Sequence, residues 1–246
     1  MKLLEFPHSH YCEKARWALD FKGVKFESMA ILPGVHIWTV RRYAPATSVP
    51  VLVTKQTAVQ GSSQIIDFLD TAHPANPLTP ADDEQRQICL RLEAEMDTRL
   101  GGPIRQFLYH RLLAYPDFIQ YCFTSTLPYY KQLVFRLSYP LLRRLMYKVY
   151  VVSDTSVIKA KSEFDQTMDE LAEQLSGRQY LVGESFSRAD VTVSSMLSLL
   201  VLPPQHPLSW PENPDADIQK IYDSYKNHPV CTWVEKMYDN HRSPIG

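Results

Sequence analysis

Three prolines in seven residues, within His73-Pro74-Ala75-Asn76-Pro77-Leu78-Thr79-Pro80, divide this chain into two parts of different character. Each proline fixes its own φ and removes a backbone donor, so the stretch is extended and stiff. Before it, short apolar runs alternate with helical patterns. Residues 3–6, 24–31, 50–54 and 57–60 read as strands. Residues 10–22, 35–43 and 62–71 read as helices, the first ended by Gly23 and the last carrying Ile65, Phe68 and Leu69 on one face. After the connector, helical periodicity dominates. The expectation is an α/β domain over residues 1–73 and an all-α helical domain over residues 81–246.

The helical part has internal punctuation. Residues 83–113 form one long helical stretch, bent or broken at Gly101-Gly102-Pro103. Residues 116–150 read as helical but cut at Pro128 and Pro140. Residues 155–175 carry Val157, Phe164, Met168, Leu171 and Leu175 on one stripe. Residues 188–202 are apolar nearly all round, the pattern of a buried central helix. Phe186-Ser187-Arg188-Ala189-Asp190-Val191 reads as a capping box with a hydrophobic staple at its start. Residues 217–226 and 230–239 complete the set. The segment 133–150 mixes Arg136, Arg143, Arg144 and Lys148 with Tyr, Phe and Leu. It reads as a helix with one solvated face, with a membrane-facing or ligand-covering role as the alternatives.

Composition narrows the class. The 246 residues carry 26 basic and 27 acidic side chains, so no basic footprint for nucleic acid is visible. Four cysteines are too few and too scattered for a secreted disulfide framework, which favours a reduced, cytoplasmic setting. No secretory leader is visible and no apolar run is long enough to cross a bilayer. Membrane contact is not expected. His8 and His10 have no metal-ligand spacing with any cysteine; they read as surface residues, and no metal is expected.

Chemistry concentrates at Ser9-His10-Tyr11-Cys12, which follows a strand and opens a helix. A Cys-x-x-Cys pair at such a turn is the thioredoxin-like redox arrangement. With Ser9 in the first position no disulfide can form, but a hydroxyl can hydrogen-bond a thiolate from another molecule. Ser9 can equally be a plain N-cap and Cys12 a small buried residue; Cys12 remains a possible redox thiol. His10 could assist proton transfer and Tyr11 could supply a second hydroxyl. Val49-Pro50 precedes a strand, where a cis bond would expose the Val49 backbone to a peptide. Gln60-Gly61-Ser62-Ser63 ends a strand and starts a helix; Ser62 or Ser63 can cap it, and its free N–H groups suit a carboxylate.

These residues together resemble the cytosolic glutathione transferase superfamily. The resemblance rests on Ser9-x-x-Cys12 with Arg16-Trp17-Ala18-Leu19, on Val49-Pro50-Val51-Leu52, on the helix from Ser62 to Leu69, and on Ser187-Arg188-Ala189-Asp190. It implies a thioredoxin-like N-terminal domain, a helical domain carrying an electrophile pocket, and a homodimer. It also implies glutathione as co-substrate and a role in detoxification. Carried over, Ser9 would steady the glutathione thiolate, Val49 with Pro50 would pair the cysteinyl backbone, and Ser62 would bind the γ-glutamyl carboxylate. Tyr11, Gln60, Gly61 and Ser63 are further candidate glutathione-binding residues. The acidic residue that usually precedes the serine is Gly61 here, so Gln60, Ser63 or a partner-chain acid would have to face the γ-glutamyl ammonium. A glutathione-dependent reductase or peroxidase using Cys12, and a non-catalytic binding protein, are the alternatives.

Overall fold

The computed structural model describes residues 1–151, 153–208, 211 and 214–242. Its first part is a four-stranded sheet, β1 (Lys2–Glu5), β2 (Glu27–Ala30), β3 (Val51–Val53) and β4 (Ala58–Gln60), in the order β2-β1-β3-β4. Strand β1 runs parallel to β2 and antiparallel to β3, and β3 is antiparallel to β4. Register sets Leu3 opposite Leu52 and Leu4 opposite Val51. Side chains alternate across a sheet, so these two pairs face opposite ways. Leu3 and Leu52 join Ala15, Trp17, Ile65 and Leu69 from α1 (His10–Phe21) and α3 (Ser62–Ala72). Leu4 and Val51 form a smaller core with Ile31, Ala44 and Val40 of α2 (His36–Val40). The Val49–Pro50 peptide is cis.

Among the described residues the regular elements after α3 are all helices: α4 (Asp83–Arg99), α5 (Gly101–Leu112), α6 (Pro116–Thr124), α7 (Tyr129–Tyr150), α8 (Asp154–Gln174), α9 (Arg188–Val201), α10 (Ala216–Asp223) and α11 (Pro229–His241). The long stretch breaks at Leu100, where Gly101 opens the next helix. Pro128 ends one helix and begins another as expected, but Pro140 lies inside α7 and does not divide it. Pro140 is exposed, so its missing N–H leaves no buried acceptor unsatisfied and 22 residues stay in one helix. Helix α9 is buried nearly throughout and is packed by α1, α4 and α11. At its start the Asp190 carboxylate accepts both the N–H and the O–H of Ser187 at 2.8 Å, and the Leu181 N–H at 2.8 Å.

Charged residues hold the α/β part to the helical part. Lys14 is fully buried and reaches Glu93 and Asp97, each at 2.8 Å. Arg188 meets Glu93 at 2.6 Å and Asp67 at 2.5 Å. Glu13 accepts from Arg16 Nε at 2.8 Å, Arg242 Nε at 3.1 Å and Tyr238 Oη at 3.2 Å. Arg16 also pairs with Glu5, and Arg242 with Asp20. Three adjacent-turn charges on one helix thus face inward, each matched by an opposite charge. The Trp17 indole donates to the His241 carbonyl at 3.0 Å, tying α1 to the end of α11.

Candidate functional site

The turn between β1 and α1 places Ser9 as the α1 N-cap, in extended backbone, its Oγ accepting the Cys12 N–H at 3.4 Å. The capping reading is therefore realised. It uses an oxygen lone pair, and the hydroxyl also lies within hydrogen-bond reach of the Cys12 sulfur. Ser9 is half-buried and lines a cavity of about 360 Å³. Thr47, Ser48 and Val49 enter the same cavity from the loop before the cis bond. Its remaining wall is mostly apolar and comes largely from helices α5, α6 and α7, with Leu108, Phe118, Phe123, Leu142 and Met146 prominent, and Leu199 and Tyr222 adding to it. One continuous space thus joins the α1 turn to the helical part.

Tyr11 also lines this cavity, but its hydroxyl donates to the Asp97 carbonyl at 2.7 Å. Burial and the Asp97 charge push its pKa up, so it stays a neutral phenol. The ring packs so closely on Gly101 that a Cβ there would lie 2.4 Å from the Tyr11 oxygen, which is why α5 opens on glycine. The Cys12 side chain has no exposed surface, and burial raises its thiol pKa to about 12. A nucleophilic cysteine needs the opposite surroundings, electropositive and open to solvent. The structure thus counts against the redox reading of Cys12.

His8 and His10 are not surface residues. They are 8% and 3% exposed, and both line the cavity. Desolvation lowers each pKa to about 3, so both rings are neutral at physiological pH. His8 stacks on Phe123 with centroids 3.5 Å apart, and His10 tilts against Tyr11. The strand-flanking position concealed this, because the second wall that buries them comes from α5 and α6.

The Gln60–Ser63 segment departs from expectation in three places. The α3 N-cap is Gly61, at φ +100°, with no side-chain cap, so neither Ser62 nor Ser63 caps the helix. Gln60 holds the loop before the cis bond: its amide donates to the Ser48 carbonyl at 2.8 Å and the Ala46 carbonyl at 3.1 Å. Ser63 accepts from Lys14 at 3.1 Å and donates to Asp97 at 3.2 Å. Asp97 puts a carboxylate near the start of α3, but Lys14 already pairs with it. Ser62 is buried and starts α3. Neither Gln60, Gly61, Ser62 and Ser63 nor the buried Pro50 is among the residues that line the cavity itself.

The sequence reading missed Arg105. It lies on α5 and lines the cavity with its guanidinium 4.5 Å from the Tyr150 ring centroid. No acidic side chain pairs with it among the described residues. An arginine between apolar positions on a helix gives no sign of facing inward. Only the meeting of α5 with α7 makes it a pocket residue.

Residues 3–77 match the sequence model of the family described as glutathione S-transferase, N-terminal domain. Nearly all of the chain also shares its fold with solved glutathione S-transferases. One from Methylobacillus flagellatus with glutathione bound has a TM-score of 0.64 at 19% identity, covering 97% of this chain and 94% of that one.

Residues 3–77 are thus similar to the N-terminal domain of glutathione S-transferases, and the chain as a whole shares their fold.

Among curated proteins, glutathione S-transferase 1 of Dianthus caryophyllus is 34% identical over 91 residues. That match takes in 36% of this chain and spans 41% of the relative's length. A beta-etherase of Sphingobium sp. has a TM-score of 0.68 at 18% identity, covering 96% of this chain and 94% of that one. At such identity the structural likeness speaks to fold. Chemistry must be argued from the residues of this glutathione S-transferase-like chain.

Proposed function

We propose that this chain binds glutathione against the α1 turn and delivers its thiolate to a small hydrophobic electrophile held by α5, α6 and α7. The single observation that carries the reading is the shared cavity: Ser9, Val49 and the apolar helical wall border one space. A free thiol has a pKa of about 8.5, so only a small fraction is ionised at neutral pH. The Ser9 O–H and the N-terminal end of α1 both favour the anion. Lowering that pKa by about two units, worth about 2.7 kcal/mol, makes the thiolate the main species. Val49 offers main-chain groups for the cysteinyl part of the tripeptide. The uncapped start of α3 leaves its first N–H groups for the γ-glutamyl carboxylate, at Ser62 and Ser63. Arg105 adds a cation to an otherwise apolar acceptor pocket and favours electrophiles that carry a carboxylate or comparable anionic group.

The experiment is calorimetric titration with glutathione, followed by assays of conjugation, peroxide reduction and disulfide exchange. Binding with conjugation is expected. Ser9→Ala should lower turnover at pH 7 by up to about twentyfold, the fall in thiolate fraction if the two-unit shift is lost, with little change in glutathione affinity. Equal loss in both, or none, overturns the role of Ser9. A second reading, binding without turnover, is favoured by the internal use of Gln60 and Ser63. Tight glutathione binding with no activity in any of the three assays would establish it.

A further inference from the structure

Helix α7 has two apolar faces. Phe135, Tyr139 and Met146 pack inward. On the other side Leu137 is 76% exposed, Leu141 72%, Tyr130 64% and Leu145 52%, with Leu133 and Val134 beside them. Steps of three and four residues align these into one outward stripe along most of the helix. An outward apolar face of this length has no place in water unless something covers it.

The charges identify the occupant. Helix α7 contains Lys131, Arg136, Arg143, Arg144 and Lys148 and no Asp or Glu, in a chain whose net charge is −1. Arg136, Arg143, Arg144 and Lys148 are exposed, flanking the stripe or lying within its C-terminal half. A second copy meeting this face would set like charges against each other. We propose that α7 docks on an anionic lipid bilayer, its leucines entering the headgroup boundary and its basic side chains meeting lipid phosphates and carboxylates. The long basic side chains can lay their stems along the apolar face and keep their heads at the polar surface. Tyr129 and Tyr130 present exposed rings at the N-terminal end, a side-chain type suited to that boundary. Among the described residues no helix is long and apolar enough to cross a membrane, so the helix lies on the surface. Leu145 and Val149 belong both to this helix's exposed side and to the wall of the cavity. Docking therefore brings the acceptor pocket to the lipid surface.

The test is flotation of the full chain with vesicles of phosphatidylcholine alone or with about one third phosphatidylserine. The chain should float with the anionic vesicles at least about tenfold more than with the neutral ones, and about 0.5 M salt should release it. Leu137→Glu with Leu141→Glu, and separately Arg136→Glu with Arg144→Glu and Lys148→Glu, should each cut the bound fraction about tenfold. Unfolding temperature and glutathione titration check that both variants fold as the parent does. Absence of flotation at low salt overturns the proposal, as does flotation that neither variant alters. So does a stripe variant that changes the mass measured by light scattering while no form binds vesicles, because the face would then join copies of the chain.

Discussion

At the scale of single residues, the proposed function makes Arg105, which lines the cavity, the side chain that would set the preference for an acceptor. A charge-assisted hydrogen bond contributes about 1.5–3 kcal/mol, so losing it changes affinity roughly tenfold or more. Arg105→Met should raise KM for a carboxylate-bearing acceptor about tenfold and leave a neutral acceptor of similar size unaffected. Equal changes for both would show that Arg105 only packs on Tyr150. Ser9 and Val49 were readable in the sequence, because a strand-to-helix turn and a strand-entry proline are local signals. Arg105 was not, since nothing within one helix says which other helix it will face. Gln60 has a structural use that the sequence did not show. Its place beside the binding segment suggested a ligand contact, whereas its amide satisfies carbonyls of the 46–48 loop.

At the scale of elements, α1 is the central piece. Its N-terminus meets the cavity, and its flank carries Glu13 and Lys14 with no exposed surface. Lys14→Met should destabilise by about 3 kcal/mol, because Glu93 and Asp97 then lose a buried cation. Urea denaturation would measure it, and a loss under about 1 kcal/mol would mean that Arg188 alone satisfies this cluster. Sequence patterning found the helix but not this inward charge, because a charged side chain is buried only where a partner from another element neutralises it. Pro140 taught a related point. A proline stops a helix where its missing donor matters, and on the outward side of α7 it does not. The expected solvated face over residues 133–150 is present, with Arg136, Arg143, Arg144 and Lys148 exposed, but leucines share it.

For the whole molecule, acid is the weak point. His8 and His10 are held down near pKa 3 and His206 near 4, each by burial. Unfolding returns these rings to about 6.5, so below that pH the unfolded chain binds more protons than the folded one. The stability they permit is complete above pH 6.5 and is lost as pH falls toward 4. Asp190, pushed up to about 6 by burial, acts in the opposite sense between pH 6 and its ordinary value. Taken together, unfolding free energy should drop by about 3 kcal/mol between pH 6 and 5, followed by urea titration at each pH. His206→Gln should shrink that drop by about 1 kcal/mol, and an unchanged slope would rule out its burial as a cause. The two-part architecture itself was legible, because the change from alternating to helical periodicity runs through long stretches. The cavity was not, because it forms where helices and loops from distant positions in the chain converge.

The ion pairs that Lys14, Arg188 and Arg242 make across the two parts have one last consequence. A cleft whose walls are locked to each other is set in width before any guest arrives. Such a cleft sorts molecules by girth at the entrance rather than by closing around them, so selectivity should follow the cross-section of the acceptor more closely than its flexibility.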